Sequence, residues 1–233
     1  MILGSNGIKM GKRYPEFVVN PSDVVRDYGA DTLRLYEMFM GPLEVSKPWS
    51  NQGVDGARKF LNRVWTFFTE PENITEGEGG PLEKVYHKSV KKITEDFEKL
   101  AFNTAISQMM IFVNAVYKEG KCPKAYAEGL IKMLSCICPH IGEELWSLLG
   151  HDNTIAFEPW PTYDDAKTAD DEVEIVVQIN GKLRGKIKAA IDTPAPEVIA
   201  LAKADEAVAA AIAGKTIIKE ISVPNKIVNI VVK

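Results

Sequence analysis

Lys9, Lys12 and Arg13 crowd into the stretch NGIKMGKRYPE, where Gly7 and Gly11 loosen the backbone and apolar periodicity is almost absent. Cations on so flexible a stretch form either a solvated charged turn or a mobile positive cluster that can meet phosphate. A second group, Lys182, Arg184 and Lys186 in VQINGKLRGKI, alternates at period two, and the spacing predicts that all three project from one face of a strand. Lys188 extends that stripe, and Gly185 lets another backbone come close. Such a stripe must face water or a phosphate backbone. A third group, Arg58, Lys59, Asn62 and Arg63, occupies the polar side of a helical pattern, which reads equally as a solvated helix face or as a path of contacts along a nucleic-acid backbone.

The other reactive residues carry less. Cys136 and Cys138, two apart on a helix, point to nearly opposite faces, and with Cys122 and His140 as the only nearby further ligand candidates the cysteines read as structural thiols, so no metal site is expected. His140, Glu143 and Glu144 in PHIGEELW have no nucleophile beside them, and the glutamates are expected on the wet face. His87 is expected at the surface. Gln108, Met109 and Met110 lie on a helical face with Ile and Val and read as core filling.

The 233 residues are 45% hydrophobic, enough for more than one core. The net charge of −4 is unevenly placed, since residues 152–171 hold one lysine against six acids. A nucleic-acid partner is allowed and not demanded by this balance. Three cysteines argue against a disulfide framework and for a reducing compartment, and no apolar run approaches the span of a bilayer, so the expected location is cytoplasmic with no membrane partner.

The elements that must position these residues are legible in outline. VVNPSDVVRDYG starts a helix with Asn20 as cap and Pro21 at its first position, and Gly29 stops it. ADTLRLYEMFMG is a second helix, apolar nearly all round. In NQGVDGARKFLNRVWTFFT the residues Phe60, Leu61, Val64, Trp65, Phe67 and Phe68 are assigned to the buried side. Three further helical patterns follow, one opening near Pro81 and the last interrupted at Pro139. Residues 152–171 form an acidic, Pro-containing linker strapped over the bundle, with Trp160 as its anchor. Residues 172–233 spell ββααββ, with an Asn180-Gly181 hairpin turn. The expected fold class is thus α+β and multidomain: a mainly α-helical bundle followed by a small ββααββ domain.

The order of these segments resembles a known family. KMGKR resembles the Lys-Met-Ser-Lys-Ser loop of class I aminoacyl-tRNA synthetases, with Gly11 and Arg13 standing where the family has serines. The continuation VVNPSDVVRDYGADTLRLYEMFMGPLE, then KPWSNQGVDGARKFLNRVW, and the tail from VQINGKLRGKI to VPNKIVNIVV are similar to bacterial-type leucyl-tRNA synthetases. Neither a His-x-Gly-His sequence nor an editing domain is present, so the resemblance implies the C-terminal portion of a larger enzyme. It implies residues 1–50 as the end of a catalytic core with its loop, 51–151 as a tRNA-binding helical bundle of the anticodon-binding type, 152–171 as the linker and 172–233 as a small tRNA-binding domain. The parent would ligate leucine to tRNA(Leu) using ATP with Mg2+. Lys9 and Lys12 would be catalytic, and Lys9, Met10, Gly11, Lys12 and Arg13 would form the ATP-binding loop. Arg58, Lys59, Asn62, Arg63, Lys182, Arg184 and Lys186 would contact tRNA. This chain alone, lacking the nucleotide-binding and editing domains, is expected to be inactive and to carry no bound cofactor; its partners would be tRNA(Leu) and the remainder of the synthetase. The rivals are a synthetase of the isoleucine, valine or methionine branch and a noncatalytic RNA-binding module.

Overall fold

The computed structural model describes residues 1–168 and 172–233, which fall into two compact units. In the first, α1 (Pro21–Tyr28) begins where the Oδ1 of Asn20 accepts from the Ser22 N–H at 3.0 Å and ends at Gly29, whose φ of 89° a side chain would resist. Helix α2 (Ala30–Phe39) follows at once, and α3 (Asn51–Phe68) is capped by Ser50, whose Oγ accepts from Gly53 N–H at 3.2 Å. Helices α4 (Glu83–Glu98), α5 (Phe102–Glu119), α6 (Lys124–Ser135) and α7 (Pro139–Leu148) complete the bundle. Two parallel two-residue ladders tie loops to it: β1 (Ile2–Leu3) with β2 (Lys47–Pro48), and β3 (Ile74–Thr75) with β4 (Cys122–Pro123).

Helix α4 starts later than the pattern suggested. The chain turns through Gly79 and Gly80 at φ 92° and 78° and buries Leu82, whose carbonyl accepts the first helical bond from Tyr86 N–H at 2.8 Å, so the helix begins at Glu83 and not at Pro81. Pro139 opens α7 at its first position, where its missing N–H costs nothing. The free N–H groups behind it are met from another helix: Asp31 of α2 accepts from Ile141 N–H at 2.8 Å. Arg34 Nε donates to the Ile137 carbonyl at 2.6 Å, so α2 grips both sides of the α6–α7 junction. The core centres on Leu35, Val64, Ile93, Ile106, Met109 and Leu130, all fully buried. Gly129 belongs to this packing, because a Cβ there would lie 2.0 Å from the Tyr86 Oη.

Residues 152–168 pack on the bundle. Trp160 Nε1 donates to Thr94 Oγ1 at 2.8 Å and its ring meets Phe97, which makes it the expected anchor. Glu143 is not a free wet-face side chain: it accepts from the Thr154 hydroxyl and, at 3.1 Å, from Ile155 N–H. These bonds, Thr154 first, hold its carboxyl below the ordinary range. His87 is likewise half-buried and engaged, not loose at the surface, with Nδ1 accepting from Asp164 N–H at 3.1 Å. The last three residues assigned to the linker, 169–171, lie outside the described residues.

The second unit contains β5 (Glu172–Ile179), β6 (Lys182–Ala190), α8 (Ala195–Ala204), α9 (Glu206–Ile212), β7 (Ile217–Val223) and β8 (Ile227–Val232). The sheet order is β6-β5-β8-β7, with the central pair parallel and the outer pairs antiparallel. Ile175, Val177 and Ile179 of β5 and Val228, Ile230 and Val232 of β8 alternate onto one face, where Val198, Ala202 and Val208 of the two helices cover them. The turn between β5 and β6 runs through Asn180 and Gly181 at φ 49° and 77°, as a two-residue hairpin requires. The fold is α+β and multidomain, and among the described residues no helix is long and apolar enough to cross a membrane.

Candidate nucleic-acid interface

The loop of residues 9–13 is held at its start by Lys9 and Met10. Met10 is partly buried against the bundle core, and its Sδ accepts from Val19 N–H at 3.4 Å. Lys9 pairs by backbone with Leu3, and Gly4 N–H donates to the Ile8 carbonyl at 2.8 Å beside that bridge. The ammonium groups of Lys9 and Lys12 make no ion pair or hydrogen bond among the described residues, and both side chains are exposed. Arg13 lies 5.5 Å from the Tyr14 ring centroid. Gly11 is needed neither for a positive φ nor for space, because a Cβ there meets nothing within 4 Å. A serine would therefore fit at this position.

On α3 the four polar candidates do not act alike. Arg58 Nη1 donates to the Tyr28 carbonyl at 2.8 Å, closing the C-terminal end of α1. Arg63 lies 4.6 Å over the ring of Tyr117, whose hydroxyl donates to the Arg63 carbonyl at 2.8 Å. Lys59 and Asn62 are exposed and make no side-chain bond among the described residues. Trp65, assigned to the buried side, is 40% exposed. Seven residues on from Arg58 is nearly two full turns, so Trp65 falls on the stripe of Arg58 and Asn62, and the three side chains border one cavity against the α1–α2 turn and the start of α7.

The cationic stripe of the hairpin is broken by a β-bulge. Strand β6 pairs Lys186 with Val176 and Gly185 with Val177, then Leu183 with Gln178 and Lys182 with Ile179, so Arg184 is the extra residue. The expected single face for Lys182, Arg184 and Lys186 is thereby corrected. Lys182 and Arg184 line a shallow depression beside Ala207, Ala210 and Ala211 of α9. Lys186 shares the opposite face with Val176, where its Nζ sits 2.7 Å from Glu174 Oε1. What comes close at Gly185 is not another backbone but the side chains of Asp205 and Val208, since a Cβ would lie 2.9 Å from Asp205 Oδ1. The depression, about 700 Å³, gains a third cation that sequence reasoning missed: Lys215, whose Nζ donates to the Ala211 carbonyl at 2.9 Å. Its signal was its place one residue after Gly214, where a helix leaves carbonyls unmet.

The remaining chemical candidates are absorbed by structure. Cys138 is fully buried, and burial raises its thiol far above the ordinary value; Cys122 is pushed up to about 12 for the same reason. Cys136 is exposed at the end of α6. Gln108 donates to Ser89 Oγ at 3.0 Å, and Met109 is fully buried.

These two cation-bearing surfaces and the anchored loop are accompanied by a family match: the model for the anticodon-binding domain of tRNA ligase covers residues 82–199, half of the chain. The chain belongs to this family. The matched part of this anticodon-binding-domain protein runs from the start of α4 into α8, so it includes the hairpin cations and excludes α3 and the loop. Among solved structures the chain is similar to one in the ternary complex of Agrobacterium radiobacter K84 agnB2 LeuRS with tRNA and LeuAMS, at 29% identity and a TM-score of 0.76. That likeness covers 100% of this chain and 33% of the other, so the chain spans about a third of the relative's length. The likeness includes the segments that the family model leaves out.

Proposed function

We propose that this chain is the C-terminal portion of a bacterial-type leucine–tRNA ligase, carrying tRNA-binding surfaces and the loop that stabilises ATP during leucine activation. The observation that carries the reading is the alignment of the whole chain, loop and both units together, with one third of a LeuRS solved with tRNA. In the activation step the leucine carboxylate attacks the α-phosphate of ATP and pyrophosphate leaves. Negative charge on the phosphates grows along that path, so ammonium groups brought close as it grows lower the barrier. Lys9 and Lys12 have the needed side-chain freedom, being exposed and bound to no carboxylate among the described residues, while Met10 anchors the loop between them. In this reading Mg2+ would accompany the nucleotide's phosphates.

For tRNA the reading assigns Lys182 and Arg184, with Lys215, to backbone phosphates, and Lys59 to a similar contact from α3. These contacts sense the shape of the RNA more than its letters. Arg58 and Arg63 contribute from positions already held by the fold, and Lys186 contributes least because Glu174 partly satisfies it. The setting is cytoplasmic, with the rest of the synthetase as protein partner.

Leucine-dependent pyrophosphate exchange tests the assignment. The isolated chain is expected to show none, while Lys12→Ala in the assembled enzyme is expected to slow exchange at least about a hundredfold, the scale of removing one group that stabilises transition-state charge. Exchange unaffected by Lys12→Ala would remove the ATP role from the loop.

A further inference from the structure

The helical unit has a cavity of about 520 Å³ bordered by the α1–α2 turn, α3 and the start of α7. Its floor is apolar, with Leu61 and Ile141, and Trp65 supplies an aromatic wall. Asn62 and Glu144 reach its edge, and neither they nor the Trp65 indole N–H make any bond among the described residues. The other polar residues at the rim are already spent: Arg58 on the Tyr28 carbonyl, and His140 on Asp31, 2.8 Å from its Nδ1. The cavity thus offers a flat apolar surface and a polar edge with both donors and acceptors. With Glu144 and Asp31 set against Arg58, it has no surplus of positive charge that would select a phosphate cluster.

We infer that this cavity receives one unstacked nucleobase of the bound RNA, with guanine the best fit. A base is planar and apolar on its faces and polar on its edge, which matches the lining residue for residue. Trp65 supplies the stacking surface. The Glu144 carboxylate is an acceptor-only group with two oxygens, suited to the adjacent N1–H and N2–H2 donors of guanine, and the Asn62 carboxamide can meet a carbonyl or a ring nitrogen. Adenine, cytosine and uracil lack that pair of adjacent donors. Lys59, one helical position from Arg58 and exposed, can hold the flanking phosphate. The inference rests on the tRNA-binding reading for its ligand and on the cavity's own lining for its chemistry.

The test titrates the full chain with GMP, AMP, CMP and UMP in turn while following tryptophan emission, and measures tRNA affinity separately. Saturable quenching, strongest with GMP, is expected in the wild type and is expected to vanish in Trp65→Leu. Glu144→Gln should keep the quenching and lose the preference for GMP. Affinity for leucine tRNA should fall about tenfold in Trp65→Leu, the scale of one stacked base, and Trp65→Phe should recover most of it. No saturable quenching, or quenching unchanged by Trp65→Leu, would overturn the site. Quenching by all four nucleotides alike would overturn the guanine assignment. Trp65-dependent nucleotide binding with tRNA affinity unmoved by the substitution would overturn the RNA assignment alone. A wild-type chain that binds GMP but no tRNA would bring down the tRNA-binding reading and the RNA assignment together, leaving a mononucleotide site.

Discussion

In the helical unit Arg58 closes the end of α1 and Arg63 lies over Tyr117, whereas in the sheet unit Lys182 and Arg184 border a depression lined, among the described residues, by no acidic side chain. Cations of the first kind are part of the packing, and their loss is felt by the fold even without a ligand. Cations of the second kind are placed by a bulge beside the small alanines of α9. A positive patch that the fold does not use is where a phosphate backbone gains most, since no internal bond must be broken to form the new contact. The difference separates two meanings of a polar helix or strand face that look the same in sequence.

The largest expected effect sharpens this contrast. Replacing Lys182 and Arg184 together by alanine should weaken tRNA binding by roughly tenfold or more and lower the slope of log affinity against log salt by about two, with the thermal midpoint unmoved. Filter binding across a salt series reads both quantities. Arg58→Ala should do the reverse, costing about 1 kcal/mol in urea unfolding because the Tyr28 carbonyl loses a charged donor, while changing the salt slope by less than one. Arg63→Ala should cost less, roughly 0.5 kcal/mol, the value of an exposed cation–π contact on Tyr117. If Arg58→Ala left stability untouched and cut tRNA affinity as deeply as the double variant, the distinction between the two units would collapse.

The smallest effect separates the units by pH. All three histidines lie in the helical unit, and in His87 burial foremost, then Lys167, depresses the folded pKa below its ordinary 6.5. Protonation would also remove the Nδ1 acceptor used by Asp164 N–H. The unfolded chain therefore takes up this proton first: the stability that neutral His87 provides is complete above 6.5 and declines as pH falls from there toward the lowered folded value. Melting followed by the helical signal should shift down between pH 7 and 5.5, and His87→Gln should flatten the shift.

Much of the frame was legible because its signals are local. Asn20, Pro21 and Gly29 bracket α1 within ten residues, and Asn180-Gly181 determines its own turn. Trp65 was misplaced because a large aromatic ring scores as core on any amphipathic helix, and only the third dimension shows that the stripe of Arg58 and Asn62 passes through it. The β6 bulge could not be read from alternating lysines, since it is a property of register against β5. The cavity needed Glu144, brought from α7 to α3 by the Asp31 cap on the α7 N-terminus, a contact across more than a hundred residues of sequence. Glu143 and His87 looked idle for the same reason, their partners being backbone N–H groups of the strap.

The most direct measurement is the binding of the purified chain to a leucine tRNA and to a tRNA with a short variable arm, across a salt titration. The account predicts tighter binding of the leucine tRNA, weakening steeply with salt, with the slope reduced by about two in the Lys182 and Arg184 double variant. Equal binding of the two tRNAs, or a slope that the double variant leaves unchanged, would contradict it.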